Sequence, residues 1–370
     1  MIKYIFVFPI LAFGQMEFFG YFETEYDHIQ LKSKNYNFGY NKLRLDFESR
    51  PSNNAMISGN INFRLYHGKT EWDFADFIPV NLEIDSLLFS LPDTMYLDNI
   101  YLQSSFSLFD VTIGKQPISL GTGYAWNPLD IFNRKDLIDP TYEQPGINAL
   151  RMEIPIVDRT VLDAIITPES SWKMSRKMIQ LKSGLGSFDY SLNVAYQYHL
   201  IPNGKSDFTY DQIYFVGSSF VGEFLEFGVW GETLWSIDAD NNFREVVVGA
   251  DHTLNNGIYL MAEYFHNSLG AEKNDLQFEN YMHYYNGETL SLMQNYIFVM
   301  GMYNITNYLN SSLLAFGNLD DQSFILAPQI EWDVFKDVTV SLLMSQSFGD
   351  SNTEFGIQDL ALRFRLRAYF

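Results

Sequence analysis

The sequence predicts one antiparallel β-barrel that crosses a membrane with strands, and three features carry that expectation. A short apolar leader opens the chain, polar and apolar residues alternate repeatedly along the rest, and aromatic residues make up 17% of the total. Strands favour aromatic side chains, and membrane barrels gather them in girdles at both lipid–water interfaces. Beyond the leader no stretch reaches the roughly 18 uninterrupted apolar residues that a membrane helix needs.

The leader comes first. Lys3 supplies a positive start, Tyr4 to Phe13 form an apolar run, and Ala12 and Gly14 are small residues before an expected cut at Gln15. This is the pattern of a secretory signal peptide over residues 1–14, leaving 15–370 as the barrel. An exported chain without a helical anchor is periplasmic, extracellular or a barrel, and alternation selects the barrel. In 357–370, Leu360, Leu362, Phe364, Leu366, Ala368 and Phe370 share one face, while Asp359, Arg363, Arg365, Arg367 and Tyr369 share the other. Three arginines facing lipid near mid-membrane would cost about 2–4 kcal/mol each. They are expected to face a polar lumen.

The same period recurs in Lys42, Arg44, Asp46 and Glu48 against Leu43, Leu45 and Phe47, and again through 57–66 and 188–199. Strands are expected at 17–29, 37–49, 55–68, 95–107, 109–117, 147–155, 159–167, 175–184, 186–199, 210–221, 224–236, 242–253, 257–267, 292–304, 307–317, 321–333, 337–348 and 355–370. That makes about eighteen, with sixteen as the alternative even number. With a periplasmic N-terminus, short turns fall on one side: Pro51–Asn54, Leu108–Phe109, Val157–Asp158, Leu185–Gly186, Gly222–Glu223, Leu254–Gly257, Asn304–Thr306 and Phe335–Lys336. The long connections 69–94, 118–146, 200–209 and 268–291 all fall on the other, as these barrels require. Segment 69–94 is apolar enough to hold an extra strand or to fold into the barrel.

Charge and composition narrow the chemistry. A formal net charge of -21 opposes sequence-independent nucleic-acid binding. With no Cys, thiol nucleophiles, thiolate metal sites and a lipidated N-terminal Cys are excluded. The histidines His28, His67, His199, His252, His266 and His283 show no metal-ligand spacing, and no Gly-x-Ser-x-Gly elbow occurs. Neither a cofactor nor a catalytic residue is expected.

Lys42, Arg44, Arg64, Arg363, Arg365 and Arg367 lie on strands that become neighbours when the last strand pairs with the first, and Arg151 lies further round. Asp189, Glu226, Glu232, Asp251 and Glu263 are the acidic lumen candidates on strands roughly opposite. Two readings stand. A basic wall could face an acidic wall across a water-filled constriction and set up a transverse field. Interior charges could instead pair across strands, with Glu23 and Glu25 between the two basic strands.

Two segments carry resemblances. Ending on a strand with Tyr369-Phe370 resembles the C-terminal signal of bacterial outer-membrane barrels, which implies the barrel-assembly machinery as a partner through Phe370. Gly114 to Pro155 resembles an uncharacterised family of porin-like outer-membrane barrels, distantly like alginate-export barrels. The matching residues are Gly114, Lys115, Gln116, Gly121, Gly123, Trp126, Asn127, Pro128, Asp130 and Phe132, then Pro145, Gly146, Ala149, Leu150 and Arg151. Leu120 departs from the aromatic expected there.

Trp126, Phe132 and Tyr142 are expected to anchor this loop, either as a brace or plug of the barrel mouth or as a ligand-contact loop. The resemblance implies a porin-like channel for passive passage of small or oligomeric polar solutes, oligosaccharides included, that sits among outer-membrane lipid. Lumen arginines would favour anionic solutes. A loop-plugged surface-binding or assembly component is the alternative, and a barrel-embedded hydrolase a third.

Overall fold

The structure is a computed structural model describing residues 16–31, 34–73, 88–133, 135, 143–203, 207–238, 242–272, 276–285, 287–350, 353–356 and 358–370. At 199–203, 207–211, 278, 279, 282 and 285 it describes the backbone alone. The leader expected over 1–14 and the anchor expected at Tyr142 lie outside the described residues.

In chain order the strands are β1 (Met16–Leu31), β2 (Lys34–Ser52), β3 (Ala55–Gly68), β4 (Glu71–Asp73), β5 (Leu88–Ser90), β6 (Thr94–Ser105), β7 (Asp110–Gln116), β8 (Ile147–Val157), β9 (Thr160–Ile166) and β10 (Lys177–Leu185). They continue as β11 (Phe188–Asn203), β12 (Asp207–Phe224), β13 (Phe227–Ile237), β14 (Phe243–Thr253) and β15 (Tyr259–Asn267), then β16 (Asn295–Thr306), β17 (Leu309–Asn318), β18 (Ser323–Phe335), β19 (Val338–Phe348) and β20 (Gln358–Tyr369). One helix, α1 (Phe278–Tyr285), lies in the long connection after β15.

Eighteen strands form one antiparallel sheet, and β20 pairs with β1, closing it. Closure leaves no sheet edge unpaired, which hydrocarbon demands of any strand-built span. Strands β4 and β5 form a separate two-stranded hairpin inside 69–94. Its Trp72 stacks on Tyr36 at 4.8 Å and meets Phe38 edge-on at 4.8 Å. The hairpin therefore folds against the inward face of β1 and β2 at their long-loop ends, and the described residues of the segment add no barrel strand; 74–87 lie outside the described residues.

Alternation sorts the barrel strands into an inward and an outward face, the inward one polar on β11 and β20 and apolar where β14 to β19 meet the loop. On β11, Ser191, Asn193 and Ala195 are buried inward, while Leu192 and Val194 are exposed outward. On β20, Leu362 and Phe364 face out and Arg365 is buried. An outer wall of exposed Leu, Val, Ile and Phe is a lipid-facing belt.

The hairpin between β12 and β13 differs from expectation. The strand runs through Gly222, which pairs with Val229, and turns at Leu225–Glu226, where both residues take positive φ of 51° and 69°. Continuing to the Phe224–Phe227 pair adds rungs and puts two aromatic rings at the interface. Glu226 is thus a turn residue and does not line the lumen.

Candidate functional site

One wall of the lumen is a charge zipper. Register places Glu23 opposite Arg367, Glu25 opposite Arg365 and Asp27 opposite Arg363. Arg363 Nε donates to Asp27 at 2.8 Å, Arg365 Nε to Glu25 at 2.6 Å and Arg367 Nε to Glu23 at 2.6 Å. Tyr40 adds its hydroxyl to Glu23 at 2.8 Å and to Glu25 at 3.1 Å. The three carboxylates are almost fully buried. Pairing across strands is therefore the arrangement here, and the three arginines are compensated, not bare.

Next to the zipper, Lys42 on β2 stands opposite Glu23 on one side and Arg64 on the other. Lys42 donates to the Tyr21 hydroxyl at 2.7 Å and to Glu143 at 2.9 Å, and Arg44 reaches Glu143 at 2.7 Å and Asp46 at 2.8 Å. Glu143 belongs to the long loop between β7 and β8. Burial works against its charge, but Lys42, the Tyr21 hydroxyl and Arg44 together hold its carboxyl down at about 2.

Arg64 is different. It donates to the Tyr66 hydroxyl at 3.1 Å and lies 4.8 Å from the Tyr40 ring, with its buried Nε unpartnered. Among the described residues no carboxylate pairs with it.

The opposite wall holds the loop. Glu263 on β15 accepts the amides of Tyr124 at 2.6 Å and of Ala125 and Trp126 at 2.9 Å each, plus the Trp230 indole N–H at 2.6 Å. Glu232 on β13 accepts the amides of Thr122, of Gly123 at 2.5 Å and of Leu129 at 3.2 Å. The expectation that Glu232 and Glu263 line an open lumen is corrected. Both are at most 3% exposed, because a chain folded into the barrel needs acceptors for amides that water no longer reaches. Trp126 then stacks on Phe265 at 5.3 Å and packs on Tyr296 and Phe316.

Gly121 makes the bend. Its φ is +80°, and a Cβ there would meet the Asn127 and Glu232 side chains. Asn127 donates to the Leu120 carbonyl at 2.5 Å. Asp130 accepts from Asn133 N at 3.3 Å and from Gln144 at 3.1 Å, and burial pushes its carboxyl up to about 7. Gln116 is buried and donates to the Ala149 carbonyl at 3.0 Å. Lys115 shares the outward face of β7 with Ile113 and donates to the Leu97 carbonyl at 2.8 Å. Gln116, Trp126, Asn127 and Asp130 thus build and brace the loop, and Lys115 does not touch it.

The loop divides the interior. A cavity of about 350 Å³ on the long-loop side is lined by Trp126, Lys135, Tyr284, Tyr296 and Glu354. Another of about 360 Å³, lined by Tyr124, Tyr259, Ser312, Gln329 and Glu331, lies on the short-turn side. Tyr124 to Trp126 stand between them.

The remaining candidates scatter. Arg151 is bound by Asp163 at 2.6 Å and Glu153 at 2.9 Å. Asp251 accepts the Tyr259 hydroxyl at 2.9 Å. Asp189 is exposed at the short-turn rim, paired with Arg159 at 2.6 Å. Among the histidines, His28 bonds Asn37, His252 the Glu226 carbonyl, His266 Asn295 and His283 Glu288. These contacts join no serine or aspartate to a histidine.

Asp27, Glu143 and Trp230 were missed. The i, i+2, i+4 run Glu23–Glu25–Asp27 would have found the first. Glu143 sits in a loop, where no periodicity announces its direction.

No family model matches the chain, and no curated protein matches it. Solved structures do. OccAB4 of Acinetobacter baumannii aligns with a TM-score of 0.62 at 10% identity over 97% of this chain and 98% of that one. The outer membrane protein OpdK of Pseudomonas aeruginosa gives 0.62 at 8% identity, covering 96% and 98%. OccK2 (OpdF) of the same organism, solved in complex with glucuronate, gives 0.60 at 10% identity, covering 96% and 98%. The eighteen-stranded fold matches that of these outer-membrane barrels, and none of the three is an alginate-export barrel.

Proposed function

We propose that this chain is an outer-membrane channel for passive passage of small polar solutes, with a preference for those carrying an anionic group. The observation that carries the anionic preference is Arg64. It is a lumen-facing cation that no described carboxylate pairs with, set among the Tyr40 and Tyr66 rings at the wall facing the loop. Guanidinium groups bind carboxylates bidentately, and aromatic flanks leave that fork free to turn toward a passing solute. The zipper of Arg363, Arg365 and Arg367 contributes polar footing and little net charge. The structurally similar OccK2 was solved in complex with glucuronate, a carboxylated sugar, which agrees with this reading.

Planar-bilayer recording tests it. Conductance with a reversal potential on the anion side under a salt gradient is the expected result. A cation-side potential would remove the anionic preference. An intact barrel without conductance would favour the second reading, a loop-plugged surface-binding component, which the anchoring of 120–129 across the interior supports.

A further inference from the structure

The outer wall carries a second feature that the channel does not use. Register aligns Lys177 on β10, Tyr196 on β11 and Tyr214 on β12 in one row on the outward face. Strand β10 fixes the direction: Met178 and Gln180 are buried inward, so Lys177 and the exposed Ile179 face out. Directly below this row, toward the membrane centre, the outward residues are Ile179, Val194 and Val216, all well exposed and wholly apolar. Above it the chain leaves β9 and returns to β10 through 167–176, carrying Trp172 and Lys173. The row is the border between hydrocarbon and headgroups on the long-loop side, which is the cell exterior.

Both lysines lie against aromatic faces, and Lys177 also bonds carbonyls. Lys177 Nζ lies 4.7 Å from the Trp172 ring and 4.8 Å from the Tyr196 ring, and it donates to the Trp172 carbonyl at 2.6 Å. Lys173 Nζ lies 5.1 Å above the Tyr198 ring. Among the described residues no carboxylate pairs with either. The acid of the same connection, Glu169, lies with Arg176 against a cavity inside the barrel. In a chain of net charge -21, two outward cations at headgroup height that no described carboxylate pairs with are a local reversal of sign.

We propose that Lys173 and Lys177, framed by Trp172, Tyr196 and Tyr214, form a binding site for the phosphate of an outer-leaflet glycolipid. Ammonium groups supply the charge, the Tyr214 hydroxyl a further donor, and the rings a flat surface for the sugar and upper acyl chain. Charge complementarity selects a phosphorylated headgroup over a neutral one, and the apolar face below selects a lipid over a soluble phosphate.

The test is native mass spectrometry of the detergent-solubilised protein mixed with lipid A carrying its two phosphates, or with the same lipid A dephosphorylated. The wild-type chain should retain the phosphorylated form about tenfold better. Lys173→Gln with Lys177→Gln should abolish that difference, whereas Lys173→Arg with Lys177→Arg should keep it. Excess inorganic phosphate should not displace the lipid. Equal retention by wild type and the Gln variant would overturn the proposal, as would equal retention of both lipids or full displacement by phosphate. Unchanged heat-modifiable gel mobility and conductance of the Gln variant keep this outcome separate from any failure of the channel reading.

Discussion

Glu263 takes the backbone amide of Trp126 at 2.9 Å, and the two residues lie 137 positions apart in the chain. This contact, with its neighbours at Tyr124 and Ala125, makes a loop between two strands into a fixed partition of the lumen. A carboxylate accepting several N–H groups in a site without water provides strong, directional attachment.

Replacing that carboxylate should free the partition. Glu263→Ala leaves three amides and an indole N–H without an acceptor, at about 1–3 kcal/mol for each that water does not reach. Single-channel conductance is expected to rise and to become noisier, while the barrel keeps its heat-modifiable gel mobility. Unchanged conductance would mean that the loop is held by its packing alone.

Gly121→Ala should act on the same loop from the other side. The positive φ disfavours any Cβ, and the added methyl meets Asn127 and Glu232. A loss of about 1–3 kcal/mol in loop attachment is expected, seen as faster amide hydrogen exchange over 120–129. Exchange should stay unchanged in the distant strands β18 and β19.

Arg64 and the zipper should separate in selectivity. Arg64→Gln should move the reversal potential toward cations. Replacing Glu25 and Arg365 together by Gln should leave it nearly where it was, since a neutral pair replaces a compensated one. Arg365→Ala alone removes the nearest cation from the buried Glu25, leaving it Arg363 at 3.7 Å, and should cost about 3 kcal/mol of stability, read as a lowered unfolding midpoint. Equal shifts from Arg64→Gln and the double replacement would contradict the assignment.

Acid should tighten one outer loop. Glu354 accepts the Tyr296 hydroxyl at 2.6 Å and the Asn318 amide at 2.7 Å, and its carboxyl is pushed by burial, with Asp321 and Asp320 nearby, up to about 7. A carboxyl raised in the folded state favours folding in its protonated form. Docking of 353–356 is then fully supported below about pH 4.5 and loses that support as pH rises through about 7. Hydrogen exchange of this loop should be slower at pH 5 than at pH 8 once corrected for intrinsic rates. Glu354→Gln should remove the difference.

Much of this architecture was legible in the alternation. Period two placed Arg363, Arg365 and Arg367 inward because the alternative was charge in hydrocarbon, the alternating runs number about eighteen, and the short-turn, long-loop parity agrees with that count. The turn at Leu225–Glu226 was misplaced because glycine at 222 is the stronger local turn signal. Pairing of Phe224 with Phe227 outweighs it, and no local signal shows that pairing.

The sequence by itself determined the closed sheet, since every residue of a strand declares its face by position and hydrocarbon penalises the wrong choice. Only the tertiary structure decided what the inward charges do. Glu232 and Glu263 read as open lumen acids until a loop more than a hundred residues away brought its unsatisfied amides to them. Arg64 differs from its basic neighbours only in which side chains stand opposite it. Loop direction and cross-barrel distance have no period, so folding alone sets them.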